Sequence, residues 1–213
     1  MIGQIIAWLN ERTIPKPNPQ YFKLDENFQP HFCEITDPMN HATQQNEIYK
    51  GKICRIEPSL EAAFVEIGAK RSGFLPQKEV AASYFPQNYS YQGRPNIKEA
   101  LQLKQPIIVQ VAKAEEDNKG SQLTTFVMLE SQHLLFYPTG PAPKQRKRQR
   151  YRQCNRQRLN PEDSARIKSL FAHLQRPPGT GLIAKPSAVT ANAEILQQEL
   201  NDLIEQWNNI QSM

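Results

Sequence analysis

Glu47–Pro76, EIYKGKICRIEPSLEAAFVEIGAKRSGFLP, carries three short runs of strand-like alternation separated by turn formers. Ile48, Lys50, Lys52 and Cys54 alternate with Tyr49, Gly51, Ile53 and Arg55, and a period of two sends the two sets to opposite faces of a strand. Glu61–Ile67 is a second apolar, β-branched run, and Gly73–Leu75 begins a third. Pro58-Ser59 and Gly68-Ala69-Lys70 fall where a meander needs its turns.

Further along, Pro106–Lys113 (PIIVQVAK) and Gln122–Leu129 (QLTTFVML) supply two more strand-like runs. Five strands within about eighty residues predict a small closed barrel of the OB type. On such a barrel Phe64 and Phe74 fall on neighbouring strands, among Tyr49, Lys50, Lys52 and Lys70. Flat aromatic surfaces with cations beside them suit single-stranded nucleic acid, because bases stack on the rings while lysines follow the phosphates. The pattern equally allows both phenylalanines to be ordinary core, since aromatics at alternating strand positions are commonly buried.

Composition sets the bounds. The chain has 213 residues, of which 38% are hydrophobic, and it contains 17 prolines, so a modest core with substantial irregular segments is expected. No apolar run approaches the length of a membrane span, and Ile2–Leu9 is too short and too polar in its flanks for a secretory signal, which predicts a cytoplasmic protein. Cys33, Cys54 and Cys154 lie far apart, without paired spacing or a histidine at a ligand interval, and read as free thiols and not as a metal site.

Taken in order, residues 1–45 are interrupted by Pro15, Pro17, Pro19, Pro30 and Pro38 and are expected to be irregular. The barrel occupies 46–130, and within it Lys78–Lys104 is an insertion with two short helices, Lys78–Tyr84 and Ile97–Leu103. The middle of the insertion, Phe85–Pro95, carries Tyr89, Tyr91 and Arg94; an RNA-facing loop and a lid packed on the barrel are both open readings. Residues 131–159 read as a linker holding the strip KQRKRQRYRQCNRQR. There Lys144, Arg146, Lys147, Arg148, Arg150, Arg152, Arg156 and Arg158 give eight positive charges and no acid, more than the whole chain's formal net charge of +5. Such a run repels itself and is suited to polyanions through phosphate contacts and counterion release. After it, Asn160-Pro161-Glu162-Asp163 reads as a capped helix start, Gly181–Lys185 as a short strand and Thr190–Trp207 as an amphipathic helix, so 160–213 is a small α/β region. The fold class is therefore mixed α/β.

IYKGKICRIEPSLEAAFVEIGAKRSGFLPQKEV resembles the S1 RNA-binding domain of the bacterial ribonuclease E/G family, on its ribonuclease E branch. The likeness continues through YFPQNYSYQGRPNIKEAL and VQVAKAEEDNKGSQLTTFVML and, more weakly, into GLIAKPSAV. It is dense from Asn46 to Met128 and loose from Leu129 to Trp207. The resemblance implies single-stranded RNA as ligand, roles in RNA processing and mRNA decay, and an RNA contact for Lys119, which falls on a lysine position of the family motif. It also implies that 160–213 is similar in outline to the family's 5′-end sensor.

Two departures limit what carries over. The family's sensor ends its strand in LIVRT, where a guanidinium and a hydroxyl grip a 5′-monophosphate; here the strand reads Leu182-Ile183-Ala184-Lys185-Pro186, and the partner positions are Ser131 and Leu135. Sensing is expected to be degenerate. The family cleaves RNA with Mg²⁺ held by acids of a subdomain beyond the sensor and assembles through Zn²⁺ on paired cysteines, and neither site is expected in this chain, which ends at Met213. Three readings stay open: an RNA-binding relative truncated before the catalytic domain, a fragment of an active endoribonuclease whose catalytic half is encoded separately, and an adaptor that pairs with ribonuclease E/G subunits.

Overall fold

The computed structural model describes residues 20–25, 29–116, 119–141 and 160–212. Five strands close the barrel: β3 (Ile48–Glu57), β4 (Ala62–Glu66), β5 (Gly73–Pro76), β6 (Pro106–Lys113) and β7 (Gln122–Thr124). Neighbours run β3-β4-β5-β7-β6, and β6 returns to β3 with Ile48 opposite Gln110 and Lys52 opposite Pro106. Every pairing is antiparallel except β5 with β7, as a closed five-stranded OB barrel requires. The expected mixed α/β class with a five-stranded barrel is what is found.

The period-two pattern explains the closure. Tyr49 and Ile53 of β3, Ala63 and Val65 of β4, Leu75 of β5, Ile107, Val109 and Val111 of β6 and Leu123 of β7 all point inward and form one buried cluster. Gly51 lets β3 approach β4, because a Cβ there would lie 2.6 Å from Val65 Cγ1 and 2.7 Å from the Glu66 carbonyl. Pro58–Leu60 forms a single 3₁₀ turn that ends on Glu61 in the left-handed region at φ +45°, which turns β3 into β4.

Three expectations need correction. The supposedly irregular N-terminal segment contains an antiparallel hairpin, β1 (Gln20–Leu24) with β2 (Pro30–Glu34), and β1 joins β3 through Tyr21 opposite Tyr49 and Phe22 opposite Ile48. Pro30 is tolerated because it opens an edge strand, where its missing N–H removes no ladder bond that matters. The last barrel strand stops at Thr124 instead of running to Leu129. Hydroxyls of Thr124 and Thr125 are used there: Thr124 donates to the Glu79 carboxylate (3.0 Å), and Thr125 donates to the Glu79 carbonyl (2.9 Å) and accepts from the Ala81 N–H (2.6 Å), which bends the chain away.

It then enters a second sheet, β8 (Leu129–Glu130), β9 (Leu134–Tyr137) and β10 (Gly181–Ala184), all antiparallel. Residues 131–137 are therefore part of folded structure and not of a linker, while the strip Lys144–Arg158 lies outside the described residues.

The helices are α1 (Ile97–Ala100), α2 (Pro161–Ala172) and α3 (Ala193–Ser212). Asn160 caps α2 by accepting from the Asp163 N–H at 2.7 Å, with Pro161 in the first turn, a cap of about 1 kcal/mol. Leu196, Leu200, Leu203, Trp207 and Ile210 of α3 pack on Leu134 and Phe136 of β9 and on Ile167 of α2. The same cluster takes in Phe22 and Ile48 from the outer flank of the barrel, so this second core, separate from the one inside the barrel, is shared by the two sheets.

Candidate RNA interface

On the outer face of β4 and β5, Phe64 sits directly opposite Phe74. Their ring centroids are 5.8 Å apart at 66°, an edge-to-face pair that leaves both rings half-buried. The flanking positions Ala63, Val65, Gly73 and Leu75 are buried, so the barrel core fixes which way the phenylalanines point. A bulge in β3 between Ile53 and Arg55 puts Arg55 beside Phe64, and its guanidinium carbon stands 4.1 Å from the ring centroid. Sequence reasoning missed Arg55 because a strict alternation assigns it to the barrel interior with Tyr49 and Ile53; only the bulge brings it outside.

Lys119 is exposed at the tip of the loop between β6 and β7, where its N–H donates to the Glu116 carbonyl at 2.8 Å. Gly120 holds this tip against the β4–β5 turn: a Cβ there would lie 2.6 Å from the Ser72 carbonyl. The Phe74 N–H then donates to the Ser121 carbonyl (2.8 Å), which ties the segment following Lys119 to the strand that carries Phe74. Arg71 and Glu115 tie the same two loops at 3.4 Å. Lys52 is exposed on the outer face of β3, opposite Glu66. Gln122, paired with Phe74, was also missed: it lines the open groove together with Phe74, Thr124 and Lys113.

Two of the predicted contacts are elsewhere. Tyr49 is fully buried inside the barrel, stacked on Tyr21 at 5.2 Å, and its hydroxyl donates to the Glu47 carboxylate at 2.7 Å and meets His41 Nε2 at 2.8 Å. Burial pushes its phenol pKa far up, helped by the bond to Glu47, and no face of it is open to a base. Lys50 reaches the other way, donating to the Gln211 carbonyl at the end of α3 (3.0 Å), where a cation complements the helix C-terminus, and burial lowers its pKa. Tyr49 belongs to the inward set because it alternates in space with Lys50 and Lys52, its neighbours in sequence.

Lys185, at the end of β10, donates to Glu130 and to the Ser131 carbonyl, both at 2.8 Å. Ser131 donates to Glu199 of α3 at 2.6 Å, and the same carboxylate oxygen accepts from the His133 N–H at 3.1 Å. Leu135 is buried with Met128, Tyr137 and Ile183, and Pro186 opens a 3₁₀ turn. Two carboxylates thus converge on the residues at the sensor-like positions.

Residues 43–126 match the S1 RNA binding domain family. Ribonuclease E of Escherichia coli (strain K12) is 45% identical over 177 residues, which cover 83% of this chain and 16% of the relative. This chain belongs to the ribonuclease E/G family, in its N-terminal region. Ribonuclease E of Haemophilus influenzae is 43% identical over 83% of the chain and 18% of its own length, and a ribonuclease E/G-like protein of Porphyra purpurea is 31% identical over 79% of the chain and 30% of its own. The chain spans under a fifth of the length of the first two relatives. For a ribonuclease E/G family member, the S1 match coincides with the barrel that carries Arg55, Phe64, Phe74 and Lys119. Among the described residues no helix is long and apolar enough to cross a membrane, and no group of three or more His, Cys, Asp or Glu side chains is placed to hold a metal ion.

Proposed function

We propose that this protein binds single-stranded RNA on the outer face of its barrel without reading the 5′ end and without cleaving the strand itself. The observation that carries the reading is the half-open Phe64–Phe74 pair with the Arg55 guanidinium over one ring, on a strand hydrogen-bonded to the segment that follows Lys119. Unpaired bases stack on such rings for about 1 to 3 kcal/mol each, while exposed cations follow the backbone, and neither action requires a metal or a zinc site. The strip Lys144–Arg158 adds sequence-independent phosphate contacts.

The ion pairs around Lys185 support end-independence. A 5′-phosphate entering there must displace Glu130 from a contact whose side chains are only 18% and 22% exposed, and it meets the Glu199 carboxylate alongside. Pro186 offers no backbone N–H in compensation. A cytoplasmic location and contact with ribonuclease E/G subunits belong to the same reading; co-sedimentation of the purified chain with such a subunit tests the contact.

The direct test mixes purified protein with labelled single-stranded RNA and Mg²⁺, scoring binding by gel shift and integrity on a denaturing gel. Saturable binding with intact RNA is expected for 5′-hydroxyl and 5′-monophosphate ends alike. Chelator-sensitive cleavage that persists through stringent purification refutes the binding-only part, and absence of binding refutes the whole.

A further inference from the structure

The insertion over the barrel contains three mutually packed aromatics. Phe85 meets Tyr89 at 5.6 Å and Tyr91 at 6.0 Å, both edge-on, and Tyr89 meets Tyr91 at 5.6 Å with a 31° tilt. Phe85 and Tyr89 pack against the barrel core, and the Tyr89 hydroxyl accepts from the Asn96 N–H at 2.6 Å, so these two behave as a lid. Tyr91 does not: it is 44% exposed. Its neighbours brace the ring from behind, which lowers the entropy lost when a flat ligand settles on the open side.

The arm that carries Tyr91 is fastened close to the RNA face. The Gln77 carboxamide, immediately after β5, donates to the Pro95 carbonyl, so the 91–95 arm is anchored three residues beyond Phe74. Tyr91 and Arg94 line the same open groove as Phe74, Gln122 and Lys113. Its volume is about 1450 Å³. Sites for one small ligand span about 300 to 1,000 Å³, so the groove has room for more than one nucleotide. Arg94 meets Glu61 at 3.8 Å with side chains 85% and 63% exposed, a contact too weak to hold the guanidinium back from a phosphate.

We propose that Tyr91 is a second base-stacking station for the same single strand, with Arg94 taking a phosphate on the way to it from the Phe64–Phe74 pair. This rests on the reading of that pair as the RNA face. The two stations engage one unpaired strand in tandem, so the second adds affinity only when the strand is long enough to reach it.

The test is a length series of unstructured oligouridylates from roughly 4 to roughly 16 nucleotides, the range of OB-fold sites, measured by fluorescence anisotropy. The wild type gains affinity over a short span of lengths. Tyr91→Ala weakens the long strands roughly 5- to 150-fold and leaves the shortest within about twofold, erasing that gain. Tyr91→Phe, which keeps the ring and the packing on Phe85 and Tyr89, retains it; Tyr91→Leu, which keeps bulk without a π face, loses most of it. Equal loss at all lengths, no loss at any, a lowered melting temperature alone, or a wild type with no such gain overturns the proposal. Phe74→Ala weakens every length; if it changes none while Tyr91→Ala still erases the gain, the first station is misplaced and the second stands.

Discussion

Replacing Phe64 or Phe74 by alanine separates an RNA-facing pair from an ordinary aromatic contact. Each ring is half-buried on the outside of the barrel, so truncation creates no sealed cavity and costs less than the 3 to 5 kcal/mol typical of a core phenylalanine. About 1 kcal/mol of that is the edge-to-face contact itself. Binding suffers more. Loss of one stacked base removes about 1 to 3 kcal/mol, which is roughly a 5- to 150-fold rise in Kd. Phe64→Ala also strips Arg55 of the ring it lies over at 4.1 Å, worth about another 0.5 to 1 kcal/mol when a base sandwiches the cation there. Because the two rings touch, either deletion disturbs the other's seat, and the double variant is expected to lose less than the sum of the singles. Anisotropy titrations with a short unstructured oligonucleotide at fixed ionic strength measure the loss, and circular dichroism confirms the barrel. A folded Phe64→Ala and a folded Phe74→Ala that both bind with wild-type affinity refute the stacking argument.

Changing four arginines of the Lys144–Arg158 strip to glutamine should flatten the plot of log K against log salt by up to about 3 units, at roughly 0.7 per phosphate contact; an unchanged slope excludes the strip from binding. Lys185→Ala leaves Glu130 without its cation and should cost about 1 to 2 kcal/mol in denaturant unfolding while the ratio of affinities for 5′-monophosphate and 5′-hydroxyl RNA stays near one; a ratio that falls from a high wild-type value on this substitution means that Lys185 does hold the phosphate. Burial raises the phenol pKa values of Tyr49 and Tyr84 above the unfolded value of about 10, so their contribution to stability is intact below that pH and declines above it as the unfolded chain releases protons that the fold retains. Tyr49→Phe should make that alkaline decline shallower by about 1.4 kcal/mol per pH unit, while lowering stability near neutrality because Glu47 and His41 lose a partner. Unfolding titrations between pH 8 and pH 11 read both effects, and a decline of equal steepness in the variant would contradict the assignment.

The barrel was legible because its signal is periodic. Ile53, Val65, Leu75, Val109 and Leu123 sit at period two in runs bounded by turn residues, and each is buried as that pattern demands. The proposed RNA face was legible only in part, since Phe64 and Phe74 obey the same period whereas Arg55 is outside it by one bulge. The hairpin β1–β2 escaped notice because its strands are five residues each and owe their order to β3 and α3: Phe22 is buried only through the shared core, and Gln29 is held by the Gln206 amide at 3.0 Å. The end of β7 was equally hidden, because the polar run Thr124-Thr125 gives no sign that a glutamate forty-five residues upstream claims its hydroxyls.

The second sheet has a structural reason to stay folded that is independent of any phosphate. Ile48 faces away from the barrel interior and is fully buried, and together with Phe22 it forms an apolar flank that water would otherwise meet. Leu196, Leu200, Leu203, Trp207 and Ile210 of α3 close over the same core. Each large side chain contributes roughly 1.5 to 3 kcal/mol when fully buried, an upper estimate because the unfolded chain already hides part of its surface. Five of them outweigh the one partly buried pair between Lys185 and Glu130 several times over. Changing the charges at the end of β10 is therefore expected to have little effect on whether the region folds.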